Sequence, residues 1–349
     1  MTGNSWLNAT WRALAVLAVL LILPFSAHAQ EDDMQTTIRP GLSYSIQLTA
    51  ENMFMEPRVN GAPLFLHGRF DPVLATVDIT AMVQPGANDI QIDYEPFNTE
   101  TQSYTPHEGV KVQVRLLRSS NPLIQPQVDE QVILFSGRFD PEEGRLVASD
   151  TSVFNEGPVL RQDGGLVVSG DYQLEPVTIL YDGAASEDQA MRLTLPFRID
   201  DIAMTTPPWL GAPALSDTPA LRRDLLAAYR QVHAALASAN PDRVAAVAEP
   251  MFTHLGRVTG YDSATDFARA VHAARPFGGT DGLTLAPPPS EVSARTSGLL
   301  FAANGRLVRF AEPFLALRDS TGAVATSYNY WFCRVDAALA PCYAQDIPY

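Results

Sequence analysis

The sequence predicts a mainly β N-terminal part followed by an α+β domain of three helices and an antiparallel sheet. The N-terminal part reads as an antiparallel sandwich, built as one module or two. Three observations carry this. Several short runs before residue 203 alternate apolar and polar residues. After residue 218 helical spacing takes over, and alternation then returns. The net charge of −15 sits almost wholly in the first part. With 349 residues, 46% hydrophobic and 18% charged, the chain is long enough for two folded parts and too apolar for wholesale disorder.

The chain opens with Arg12, then an apolar run over 13–25 and the small-residue stretch Ser26-Ala27-His28-Ala29. That order predicts a removable signal peptide over 1–29. The run falls short of the roughly 20 residues needed to span a bilayer, which sets aside the alternative of an uncleaved anchor. No later stretch is apolar enough to span. The mature chain is expected to begin at Gln30 and to be periplasmic or secreted.

Residues 30–203 form the acidic β-part. Leu42, Tyr44, Ile46 and Leu48 alternate with polar neighbours; so do Ile90, Ile92 and Tyr94, then Val110, Val112, Val114 and Leu116, and then Leu193, Leu195, Phe197 and Ile199. A period of two places one face on a core and the other in water, with Lys111, Gln113 and Arg115 expected outside. Turn pairs Pro85-Gly86, Gly164-Gly165 and Asp182-Gly183 separate the runs. Gly68-Arg69-Phe70-Asp71-Pro72 recurs word for word at Gly137-Arg138-Phe139-Asp140-Pro141. Either two related modules, 36–120 and 128–203, or recurring turn chemistry explains the repeat.

Residues 204–217 are proline-rich and read as a linker. The α+β domain spans 218–349. Thr218 caps a helix with Pro219 at its first position and Leu221, Leu225, Tyr229, Val232 and Leu236 on one face. Asn240-Pro241 starts a second helix carrying Val244, Val247, Met251 and Leu255, which Pro250 should kink or shorten. Ser263 and Asp266 resemble a capping box for a third. Asn304-Gly305 predicts a two-residue hairpin between strands 297–303 and 306–317, with Pro313 at an edge or bulge. Tyr328, Tyr330 and Phe332 then share one strand face, with Trp331 and Cys333 on the other. Cys333 and Cys342 flank a hairpin over 336–339; in an exported chain they are expected to form a disulfide, with two buried thiols as the alternative.

Two resemblances add to this reading. The stretch Val77-Asp78-Ile79-Thr80 through Pro85-Gly86-Ala87-Asn88 to Ile92 resembles a segment of galactose-binding-like jelly rolls. There an Asp-hydrophobic-Thr element leads through Pro-Gly-x-Asn into the next strand. The resemblance implies a β-sandwich of a kind that often accompanies glycosidases or binds sugars; the segment itself is structural. Residues 215–349, opening with Leu225-Leu226-Ala227-Ala228-Tyr229 and the turn Ser238-Ala239-Asn240-Pro241-Asp242, are similar in layout to the NTF2-like superfamily. That resemblance implies a pocket between helices and sheet, used for catalysis, for binding or for dimer contacts.

Over 30–205 there are 27 acidic and 11 basic residues; over 206–349 there are 12 of each. An acidic surface disfavours nucleic acid and anionic lipid; it favours a basic protein or simply keeps the chain soluble. Lys111 is the single lysine. No nucleophile elbow or histidine pair with metal-ligand spacing is found, so no catalytic residue, metal or cofactor is assigned. His233, His254 and His272 fall on three different predicted helices, from which convergence is conceivable. The acidic stretch Asp140-Pro141-Glu142-Glu143-Gly144 reads as a solvated hairpin turn. The expected ligand pocket comprises Tyr229, His233, Tyr328, Tyr330 and Phe332. The first functional reading is an exported, non-enzymatic protein of the envelope that recognises a protein or a glycan, with the C-terminal domain giving a pocket or a homodimer contact. The second is an isomerase or hydrolase in that pocket, which requires an ionisable residue beside Tyr328 or Tyr330. The third is a structural role in envelope assembly.

Overall fold

The computed structural model describes residues 42–345, apart from 69–70, 121–126, 150–151, 155–165, 169–170, 178, 182–183, 187–189, 201–203 and 280–281. The expected leader, the turns at Gly164-Gly165 and Asp182-Gly183, and Arg69 and Phe70 of the first repeat copy lie outside them.

The β-part runs β1 (Leu42–Glu51), β2 (Met53–Val59), β3 (Ala62–Pro63), β4 (Val73–Asp78), β5 (Gly86–Pro96), β6 (Lys111–Ser120) and β7 (Gln127–Asp140), then β8 (Arg145–Ala148), β9 (Leu166–Val168), β10 (Gln173–Pro176), β11 (Ile179–Tyr181), β12 (Ala184–Ser186) and β13 (Met191–Ile199). One sheet has the order β4-β1-β6-β7-β8. The facing sheet has the order β10-β13-β5-β2-β3, with β9 also on β13, while β11 and β12 pair with each other. All these ladders are antiparallel, with Ile46 opposite Leu116 and Leu193 opposite Ile92. The alternation expected from sequence is what fills the space between the sheets: Tyr44, Ile46, Leu48, Ile90, Ile92, Val112, Val114, Leu193 and Phe197 are buried in one cluster. Each sheet contains strands from both 36–120 and 128–203, joined at β6-β7 in one and at β13-β5 in the other, so the two stretches build a single sandwich.

Gln113 is the exception on β6. Expected outside, it is 1% exposed. Its amide oxygen accepts from Arg115 Nη2 (2.9 Å) and its nitrogen donates to Ser152 Oγ (2.7 Å), so the 152–154 segment covers it. A buried amide persists only with such partners. In the jelly-roll-like segment, Asp78 Oδ1 accepts from Thr80 N (2.7 Å) and Thr80 Oγ1 accepts from Tyr44 N (2.9 Å). Asn88 closes the turn, accepting from Gln84 N and donating to Gln84 O, both at 2.9 Å. In the second repeat copy, Asp140 Oδ1 accepts from Glu142 N (2.8 Å), which makes 140–144 the turn between β7 and β8.

The C-terminal part begins with helices α1 (Pro219–Ala237), α2 (Pro241–Val247), α3 (Glu249–Thr259), α4 (Ala264–Ala274) and α5 (Glu291–Thr296). Thr218 Oγ1 accepts from Leu221 N (3.1 Å) and Ser263 Oγ from Asp266 N (3.1 Å), so both expected caps form. The expected second helix is two. Ala248 leaves the helical region (φ −106°, ψ 26°) because Pro250 has no N–H to continue the ladder. The short α5 was not foreseen from sequence.

The remaining strands are β14 (Thr284–Leu285), β15 (Leu299–Ala302), β16 (Leu307–Phe310), β17 (Ala316–Arg318), β18 (Val324–Ser327), β19 (Asn329–Val335) and β20 (Ala338–Gln345). They form a four-stranded sheet, β15-β16-β19-β20, and a three-stranded one, β14-β17-β18. The expected single strand over 306–317 is therefore broken. Residues 311–315, around Pro313, carry the chain from one sheet to the other. Cys333 and Cys342 are bonded, with Cα atoms 5.7 Å apart. They are not directly opposed as expected: Cys333 faces Ala340, and a bulge at Trp331/Phe332 takes up Cys342. Closing so short a loop contributes about 2–3 kcal/mol in the chain-entropy account.

β19 has a different core on each face. Tyr330 and Phe332 join the cluster beneath the helices. Trp331 and Cys333 join the sandwich cluster. Ile38–Tyr349 is one compact unit. Within 204–217 a 3-10 turn, Pro208–Gly211, buries Trp209 against the Tyr343 ring at 5.3 Å. Two Asn-Gly turns also meet. Asn60 and Gly61 (φ 49° and 76°) join β2 to β3, and Asn304 and Gly305 (φ 55° and 80°) join β15 to β16. Ala303 N donates to Gly61 O at 2.9 Å, and a Cβ on Gly61 would lie 2.7 Å from Ala303 Cα. Only glycine allows that approach.

His254 on α3 ties the helices to the sandwich. It is 5% exposed; Nε2 donates to Ala81 O (2.8 Å) and Nδ1 accepts from Thr205 Oγ1 (3.0 Å). Burial holds its pKa below the ordinary value, and Arg257 acts in the same direction against the Ala81 hydrogen bond. The folded chain thus keeps this imidazole neutral while the unfolded chain protonates near pH 6.5. The stability it contributes is complete above that pH and is lost as pH falls below it, at no more than about 1.4 kcal/mol per pH unit for one proton. Urea midpoints measured from pH 7.5 to 5.5 are expected to fall in the wild type and to fall less steeply in His254→Gln, which keeps a donor and an acceptor. Equal slopes in the two proteins would contradict this.

Candidate functional site

Four of the five residues expected to form a pocket, Tyr229, Tyr328, Tyr330 and Phe332, come together, but they pack as a core. Tyr229 on α1 is buried, with ring centroids 4.7 Å from Phe332 and 5.3 Å from Phe310. Tyr330 is 2% exposed and lies 5.9 Å from the half-buried Tyr328. Rings at such distances fill the space between them. His233, also on α1, points to the next segment, its Nε2–H donating to Ala286 O at 2.7 Å. The ionisable neighbour of Tyr328 is Arg275. Its guanidinium carbon lies 6.0 Å from the ring centre, and Nη2 donates to Thr326 Oγ1 at 3.2 Å. Burial pushes the phenols of Tyr229, Tyr328 and Tyr330 up, away from neutrality. They remain protonated at physiological pH and serve as packing groups, not as bases.

The helical histidines do not converge. His254 is held by Ala81 and Thr205, and His272 Nδ1 accepts from Phe277 N at 3.0 Å. Among the described residues no three His, Cys, Asp or Glu side chains group as a metal site.

An open groove of about 600 Å³ lies instead on the outer side of α1, between it and α5. Arg222, Arg223 and Arg230 line it from α1, and Arg295 from α5. Its floor is apolar, from Pro219, Leu226, Ala227 and Ala294. Arg222 is fixed: Nε and Nη2 donate to Asp217 at 2.8 and 2.7 Å, and Nη1 to Ser297 O at 2.9 Å. Arg230 is anchored through Nε to Pro289 O (3.2 Å), which leaves its terminal nitrogens to the groove. Arg295 lies 3.7 Å from Glu291, the one acidic residue of the lining. Arg223 is exposed and makes no hydrogen bond or ion pair among the described residues. The apolar spacing that located α1 concerns its buried face. The signal for the groove is the arginine set four, five and twelve residues after Thr218, read on the other face.

No family model matches the chain, and no curated protein or solved structure matches it.

Proposed function

We propose that the chain is an exported interaction protein of the bacterial envelope, which recognises a protein or a glycan at its surface and does no chemistry in an enclosed pocket. The observation that carries this is the filled space between helices and sheet. Where an NTF2-like layout would place its ligand, the rings of Tyr229, Phe310 and Phe332 are in contact. The phenols there are held protonated, and the nearest charged group is an arginine. A disulfide and an apolar, leader-like stretch over 13–29 support action outside the cytoplasm.

The surface of the sandwich favours recognition by charge. Arg58, Arg118, Arg145, Arg192 and Lys111 each pair with a carboxylate of the same part. The surplus carboxylates then set the sign of the surrounding potential, and a basic partner is attracted. The test is a pull-down with the immobilised chain from periplasmic extract, washed at about 50 mM and then about 500 mM salt, where screening shortens to a few ångströms. A partner retained at the first concentration and released at the second is expected. Retention that ignores salt, or none at either concentration, would overturn the charge-led reading.

A further inference from the structure

We propose that the groove between α1 and α5 binds an acidic, extended segment of a partner protein, with carboxylates at its two ends and an aliphatic side chain between them. This rests on the reading of the chain as an interaction protein and gives it a second surface, opposite in sign to the sandwich.

The charge and its spacing identify the ligand. Four of the twelve arginines of the C-terminal part line this one groove, against a single acidic residue in the lining. Arg222 and Arg230 are eight residues apart on one helix, which sets them about 12 Å apart along its axis. A small anion cannot reach both. An extended peptide, rising about 3.3 Å per residue, spans that distance with carboxylates three or four residues apart. Leu226 and Ala227 lie between the two cationic ends, with Ala294 opposite on α5, and take up an aliphatic side chain from the middle of the segment. A uniformly charged polyanion gains nothing from that floor. Arg222 is preorganised by its three hydrogen bonds, so ordering it on binding costs little. Arg223, unpaired among the described residues, supplies donors for a bidentate carboxylate contact.

The probe is a fluorescein-labelled peptide, acetyl-Glu-Glu-Leu-Ala-Glu-Glu, titrated with the full chain and read by anisotropy at about 50 mM salt, where exposed charges are weakly screened. Saturable binding is expected. Arg223→Glu with Arg230→Glu is expected to weaken it by about tenfold or more, the scale of losing charge-assisted hydrogen bonds. Arg243→Glu, an exposed arginine outside the groove, is expected to leave it unchanged. Circular dichroism melts check that each variant is folded. The proposal is overturned if the peptide does not saturate, if the double variant binds it as wild type does, or if a tetragalacturonate or the all-Gln peptide competes equally. The outcome is separable from that of the preceding section. A double variant that still captures a salt-releasable periplasmic partner, with no peptide binding by the wild type, removes the groove and leaves the interaction protein.

Discussion

Trp209→Ala is expected to destabilise the whole of Ile38–Tyr349 by about 3–5 kcal/mol, the usual cost of truncating a large buried aromatic. Trp209 is 1% exposed and belongs to a cluster that also holds Met82 and Val83 of the sandwich and Trp331 and Tyr343 of the C-terminal sheet. Its removal opens a cluster that both parts share. Hydrogen exchange should therefore rise together in β1 and in β19, by comparable free energies. Faster exchange in β19 with β1 unaffected would show that the residue serves only one part. Trp209→Phe is expected to cost much less, because the indole N–H it removes has no acceptor among the described residues.

Phe332→Ala is the second large effect, again about 3–5 kcal/mol. The side chain is fully buried on the helix-facing side of β19, opposite Val308 of β16 and 4.7 Å from the Tyr229 ring. Its loss leaves a void between α1 and the sheet that neighbouring rings fill only in part. Urea unfolding should show a lower midpoint with little change in slope. Phe332→Leu, which keeps most of the volume, should recover the larger share of the loss. If the alanine variant lost under 1 kcal/mol, the rings would not be packed as described, and a ligand cavity between helices and sheet would return as a reading of the site.

What was legible in the sequence follows from how local each signal is. The alternation at Tyr44, Ile46 and Leu48 and the helical spacing from Leu221 to Leu236 are carried by neighbouring residues, and both give the correct buried face. The caps at Thr218 and Ser263 act within three residues and form as expected. The opposition of Tyr330 and Phe332 to Trp331 and Cys333 follows from the pleat alone. Features that depend on distant partners were misread. Gln113 alternates correctly yet is covered by residues some 39 positions later in the chain. The strand expected over 306–317 ends at Phe310, and residues 311–315, around Pro313, carry the chain to the other sheet. Tyr229, Tyr330 and Phe332 follow from their spacing as buried residues, but whether rings on facing elements leave a cavity depends on their packing, which periodicity does not encode. The groove was missed because charged residues on an exposed helical face carry no periodic signature of their own.

The last strand of the chain completes the first sheets. Tyr343 Oη donates to Pro63 O at 2.7 Å, and Gln345 Nε2 to Leu64 O at 2.9 Å, across sequence separations of 280 and 281 residues. Contacts of such range form only after the entropy of closing so long a loop has been met. The stretch Pro63-Leu64 that leaves this early hairpin therefore waits, unfinished at its edge, until β20 has been synthesised and delivered. Shortening the chain by even its final strand would leave that early hairpin without its cover, and an uncovered strand end is where neighbouring molecules associate.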